Sequence, residues 1–145
     1  MKINIKQDNS VSETEITIIC KQIDSELETI ISNLSLIDNT VAGKTEGETY
    51  FVSLLDVLYF ETIDNKTFFY SKDKILEIPL KIFQLEEKLS NTNFVRISKS
   101  IILNLKKVKS IKSEPNSRLV ATLSNGEKVL VSRQYMQYIK NKLGV

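Results

Sequence analysis

The sequence predicts a mainly β fold, an antiparallel sheet domain with short helices, preceded by a small β-β-α extension. Three observations predict it. Hydrophobic residues recur at a period of two from about residue 49 onward, in runs of four to seven that turn-forming residues interrupt. The tail end of the chain carries Asn125-Gly126 between two apolar runs, a strong hairpin signal. Helical spacing is confined to three stretches, near residues 23–34, 80–89 and 135–143. At 145 residues, with 41% apolar and 26% charged residues and only four Gly and two Pro, the chain can bury a real core and is neither disordered nor collagenous.

Taken in order, Ile3 and Ile5 alternate with polar residues, and Glu15 to Cys20 is a β-branched run, so two strands are expected there. Ile23, Leu27, Ile30, Ile31 and Leu34 then predict an amphipathic helix that Asp24 or Ser25 caps, with Glu26 and Glu28 suiting the positive end of its dipole. Asp38-Asn39-Thr40 and Ala42 to Gly47 hold two of the four glycines without apolar periodicity, which predicts a connector and a boundary between residues 1–45 and 46–145. Beyond it, strands are expected at about 49–53, 57–63, 67–71 and 75–78, as a meander with turns at Asp64-Asn65-Lys66 and Lys72-Asp73-Lys74. Pro79 can open a helix carrying Leu80, Phe83, Leu85 and Leu89. A last hairpin, 119–124 with 127–131, is expected to turn through Asn125-Gly126 as type I′. Ser132 then caps a helix with Tyr135 or Met136, Ile139 and Leu143 on one face.

Composition excludes much chemistry. There is no His, and Cys20 is the only Cys, so zinc sites, His-based triads and Cys-His dyads cannot be assembled from one chain. No cofactor or metal site and no small-molecule substrate is expected. Ser71-Lys72-Asp73-Lys74 matches Ser-x-x-Lys, but it falls in a turn and lacks the companion motifs of acyl enzymes. Cys20 in an apolar run reads as a small hydrophobe in a reducing, cytoplasmic compartment, and no stretch has signal-peptide or membrane-span length.

Charge is unevenly placed. Residues 1–95 carry 9 Lys and Arg against 16 Asp and Glu, whereas residues 96–145 carry 11 against 2, and the resulting −7 and +9 give the net +2. The C-terminal part is built to meet a polyanion.

Residues 48–145 resemble the LytTR family of bacterial DNA-binding domains. Three segments carry the likeness: Leu54-Leu55-Asp56-Val57-Leu58-Tyr59-Phe60-Glu61, the run from Phe94 to Leu105 with its Phe-x-Arg-x-x-x-Ser and Asn104, and Asn125-Gly126 followed by Val129, Val131, Ser132, Arg133 and Tyr135. The resemblance implies an elongated β domain that binds double-stranded DNA by inserting loops, not a recognition helix, into successive major grooves. By position it implies base contacts from Lys66 or Thr67, from Lys99 beside Ser100, and from Arg133. The family often has His where this chain has Ser98-Lys99, so base preference does not carry over. The resemblance further implies a transcription regulator with a membrane-protein regulator as a further partner, and a homodimer or paired binding on repeated sites is expected. At this length the chain has no room for the receiver domain often joined to the module.

Several of these residues can be read on their own chemistry. Arg133 opens a helix, where a cation opposes the macrodipole, so stability alone would favour an acid there. A guanidinium beside free helix N–H groups can instead fork onto phosphate or onto guanine O6 and N7. Lys99 lies in a polar break that could equally be a solvated turn. Lys106, Lys107, Lys109 and Lys112 form either a solvated strand face or a set of phosphate contacts, and Arg118 belongs with them. Arg96 either reaches phosphate or pairs internally with a carboxylate such as Glu61. Asn104 is expected to bond local backbone, and Tyr135, Tyr138, Phe60, Phe68 and Phe94 to be core. A protein-interaction or adaptor domain of the same fold, lacking base reading, is the alternative function. The acidic segment 1–45 is expected to serve dimerisation or partner binding, because its helix must bury an apolar stripe.

Overall fold

A computed structural model describes residues 1–116 and 118–144. Its framework is a seven-stranded antiparallel sheet, β1 (Thr40–Thr45), β2 (Glu48–Ser53), β3 (Val57–Ile63), β4 (Lys66–Ser71), β5 (Ile75–Ile78), β6 (Phe94–Arg96) and β7 (Ile101–Asn104), in the order β2-β1-β5-β4-β3-β7-β6. A second sheet holds β8 (Val108–Glu114), β9 (Arg118–Leu123) and β10 (Lys128–Val131) in the order β10-β9-β8. Three helices complete the fold: α1 (Ser25–Ile37), α2 (Ile82–Lys88) and α3 (Arg133–Leu143).

The strands of the meander lie where period-two spacing predicts them, and both β3 and β5 have the expected bounds. Two core clusters result, one on each side of β3. Val57, Phe60, Phe69, Leu76, Leu85, Phe94 and Ile102 pack beneath α2, while Leu58, Tyr59, Ile97 and Leu103 pack against Leu119, Leu123, Val131 and Ile139 of the second sheet and α3. A register shift between Val57 and Tyr59 explains how two adjacent residues, Leu58 and Tyr59, reach the same cluster: a bulge re-aims one side chain that strict alternation would send to the other face. Tyr59 stacks on Tyr70 with centroids 4.4 Å apart, and its hydroxyl donates to Glu127 Oε1 at 2.6 Å, joining the two sheets. Tyr70 donates to Glu61 Oε1 at 2.9 Å. Burial, first, and the carboxylate each hydroxyl faces hold both phenols above the ordinary tyrosine range, Tyr70 pushed up to about 12. Asn104 bonds local backbone as expected, with Nδ2 donating to Val57 O and Oδ1 accepting from Lys106 N.

Several expectations need correction. Residues 1–24 form neither of the two expected strands. Ile3 and Ile5 are exposed, and among the described residues no strand pairs with them to satisfy the backbone. The expected connector is instead β1, joined to β2 by a two-residue turn in which Glu46 and Gly47 have φ of 50° and 79°. β1 is pinned by packing: a Cβ on Gly43 would stand 2.6 Å from Phe69 Cζ and 2.7 Å from Leu76 Cβ. The expected helix at Pro79 starts at Ile82, with Gln84 Oε1 accepting from Lys81 N. The last hairpin does not use a type I′ turn. Gly126 alone has positive φ there, and Gly126 N to Leu123 O with Leu123 N to Glu127 O closes a three-residue loop. Positive φ at both central residues belongs instead to the β1–β2 turn and to the β3–β4 turn, at Asp64 and Asn65. Asp24 caps α1 through Leu27 N as expected, but Ser132 occupies the N-cap of α3 without a side-chain cap bond. Phe60 and Phe94 are core, Phe68 and Tyr135 are half-buried, and Tyr138 is exposed.

Candidate nucleic-acid interface

Three loops that are far apart in sequence meet at one end of the sheets. The β3–β4 turn presents Asp64, Asn65 and Lys66. The β6–β7 loop presents Ser98, Lys99 and Ser100. The β10–α3 junction presents Ser132 and Arg133. Two backbone hydrogen bonds hold them in a row: Thr62 N donates to Ser100 O at 2.9 Å, and Ser132 N donates to Ile97 O at 2.8 Å. Lys66, Lys99 and Arg133 are all exposed, so each loop offers one cation to solvent. Arg133 is steadied by Nη2 donating to Asn116 O at 3.3 Å, which brings the β8–β9 hairpin and exposed Arg118 to the same end. Asp64 and Glu114, the latter opposite Arg118, share this end.

The β6–β7 loop is shaped from within. Arg96 Nε donates to Ser98 O at 2.8 Å, Nη2 to Lys99 O, and Nη1 to Glu86 Oε1 of α2 at 2.9 Å. The side chain is only 14% exposed. Arg96 is therefore engaged internally, and its carboxylate partner is Glu86, not Glu61, which Tyr70 occupies. Ser100 is half-buried, and its N–H donates to Ser98 Oγ at 3.2 Å, so the two serines form the turn that lifts Lys99 outward.

Two other expected contacts fall elsewhere. Thr67 is buried, with its hydroxyl 3.4 Å from that of Thr62, because it faces inward on β4 between β3 and β5. Lys66 is the exposed member of that pair. Lys107 lies at the opposite end of the fold. Its carbonyl accepts from Ser124 N, and it lines a cleft with Lys72, Asp73, Lys74 and Asn125. With β3 running seven residues between the two ends, that separates Lys107 from Lys66 by about 20 Å. Ser71 and Lys74 of the Ser-x-x-Lys match serve a hairpin turn, Lys74 N donating to Ser71 Oγ, and Lys74 Nζ lies 4.6 Å from the centre of the Tyr50 ring. Among the described residues, no group of His, Cys, Asp and Glu could hold a metal ion, and no helix is long and apolar enough to cross a membrane.

Internal pairing of Arg96 was one of its two sequence readings, but its partners Glu86, Ser98 O and Lys99 O, and the inward turn of Thr67, were beyond sequence reasoning. Both depend on which face of a strand, or which neighbouring helix, a side chain meets.

Comparison with known proteins gives one consistent answer. Two HTH-type transcriptional regulators of Staphylococcus aureus, themselves uncharacterized, are 26% (strain NCTC 8325 / PS 47) and 25% (strain MRSA252) identical to this chain over 147 residues, covering all of it and 99% of each relative. Despite that description of the relatives, among the described residues no two helices follow one another in chain order, so no helix-turn-helix is formed. A solved LytTr DNA-binding domain from Bacillus cereus superposes with a TM-score of 0.70 at 28% identity, over 74% of this chain and 98% of that one. The LytTr DNA-binding domain family matches residues 47–144, which span all three loops and both sheets from β2 onward, and the chain belongs to that family.

Proposed function

We propose that the chain is a sequence-specific transcription regulator that reads double-stranded DNA with the three-loop end, Lys66, Lys99 and Arg133 each entering a major groove. The observation that carries this reading is the row of loops tied by the Thr62–Ser100 and Ile97–Ser132 hydrogen bonds, with one exposed cation on each. A major groove is about 12 Å wide and admits a loop tip that bears one long side chain. The regulators of Staphylococcus aureus support the regulatory part of the reading, and the lack of successive helices among the described residues favours loops as the reading elements. Arg133 is suited to a bidentate contact with guanine or phosphate, whereas Lys66 and Lys99 act as point charges. Arg118 adds a phosphate contact at the same end, and Ser100 and Arg96 position Lys99.

The test is a mobility-shift titration of the full chain on its own upstream DNA at two salt concentrations. Binding should weaken with salt, with a slope of about 0.9 per phosphate neutralised. Absence of any salt-dependent binding would overturn the reading in favour of an adaptor role.

A further inference from the structure

At the edge of the large sheet remote from the three loops, the chain leaves an apolar surface uncovered. α1 lies on β1 through serines: Ser32 and Ser35 are its buried residues, and Ala42 N donates to Ser35 Oγ at 3.2 Å. The apolar stripe of the helix is correspondingly displaced. Leu27, Ile30, Ile31 and Leu34 are only half-buried, and Ile37 is 81% exposed. β2 is the edge strand beside it, with Phe51 turned to solvent. Between them runs a groove of about 820 Å³ whose walls include Ile31, Leu34, Ile37 and Phe51. Ile16 and Ile18 reach the same groove from residues 14–19, Thr-Glu-Ile-Thr-Ile-Ile, which are rich in β-branched residues yet pair with no strand.

Two areas say what could cover this surface. The chain exposes 10351 Å², against about 7,600 Å² for a compact monomer of its mass. The exposed parts of Ile16, Ile18, Ile19, Ile37 and Phe51 amount to roughly 600 Å², about three quarters of the about 800 Å² that each partner gives to a stable interface. The same chain also supplies both halves of a match: an unpaired strand-forming segment, and an edge strand with an apolar groove beside it. A reciprocal exchange uses each half once per copy and closes as a two-fold dimer.

We propose that the occupant is a second copy of this chain: residues 14–19 of each copy lie in the α1–β2 groove of the other and add a strand to the free edge of β2. Two strands, β1 and β5, separate β2 from β4, which Lys66 opens, a distance of about 14 Å at the usual strand spacing, and Lys99 in the β6–β7 loop lies farther across the sheet. Pairing therefore leaves Lys66, Lys99 and Arg133 free, and it stands or falls independently of DNA binding.

The experiment is sedimentation of the full chain without DNA, at tens to hundreds of micromolar. Twice the monomer mass is expected, with Ile18→Asp and Phe51→Asp each weakening self-association by roughly thirty-fold. Both side chains are on the surface, so the variants should keep the wild-type circular dichroism and a cooperative melt. Should either fail to fold, Ile19→Asp replaces it, since Ile19 is 95% exposed. A spin label on Cys20, the only cysteine, should give a dipolar signal between copies that Phe51→Asp abolishes. A wild-type monomer across this range, or a dimer that the folded variants leave intact, overturns the proposal.

Discussion

Arg133 and Lys107 have the same formal charge and opposite expected roles. Arg133 stands beside the free N–H groups of α3 and next to the β6–β7 loop, where its guanidinium can fork onto one base. Arg133→Ala should therefore cost on the order of 1 to 3 kcal/mol on the preferred DNA site and flatten discrimination between sites, as titrations on matched and scrambled duplexes would measure. Lys99 is a point charge at the tip of its loop. Lys99→Ala should lower the salt slope by about one if it meets a phosphate, and otherwise alter base preference without changing the slope. Lys107, read from sequence as another phosphate contact, faces the Lys72–Lys74 turn at the remote end. Lys107→Ala should leave both affinity and salt slope unchanged, and a drop in slope would mean that DNA wraps toward that end.

At the scale of elements, the β6–β7 loop depends on a side chain that points away from DNA. Arg96 satisfies two loop carbonyls and a carboxylate of α2, a fork that only a guanidinium can make. Arg96→Lys keeps the charge but cannot span Ser98 O, Lys99 O and Glu86 together. It should lower the melting temperature and weaken DNA binding together, whereas Lys99→Ala should affect binding alone. Gly43 plays a comparable part in β1, where no space remains for a methyl group beneath Phe69 and Leu76. Gly43→Ala should destabilise the fold by about 1 to 3 kcal/mol in denaturant titrations. These two elements also mark the limits of the sequence. β5 and the helix ending the chain were legible because one face of each is buried and local spacing records that face, and β3 because a short apolar run bounded by turn residues reads as a strand buried on both sides. Gly43 and Gly47 read as a connector because a glycine required by close packing and a glycine required by a turn look alike in one dimension. The isoleucines before residue 24 read as strands because β propensity is local, while the partner that completes a strand is not. Of the three loops, the sequence supplied the cations, but only the Thr62–Ser100 and Ile97–Ser132 bonds show that they share one end.

At the scale of the whole molecule, the two sheets are fastened by a polar pair at the rim of an apolar junction, between buried Tyr59 and exposed Glu127, and this gives the fold a defined alkaline limit. Tyr59 on β3 donates across the junction to Glu127 beside β10, and Tyr70, stacked on it, donates to Glu61. Both phenols are held above their ordinary value of 10.0, Tyr70 at about 12, because ionising either would place a second anion in a poorly solvated site beside a carboxylate. Below pH 10 the phenols are protonated in folded and unfolded chains alike, so their full contribution to stability is present. As pH rises past 10, the unfolded chain releases these protons while the folded chain keeps them. Unfolding then becomes easier with each step of pH, until the folded groups also ionise, for Tyr70 near 12. Thermal melts of the wild type should accordingly change little across neutral pH and fall steeply between about pH 10 and 12. Tyr70→Phe should begin about 1 kcal/mol lower at neutral pH through the lost hydrogen bond, yet show a shallower alkaline decline, so that the two melting curves converge. Parallel curves would mean that the alkaline limit lies in other groups and that the junction between the sheets does not depend on these phenols.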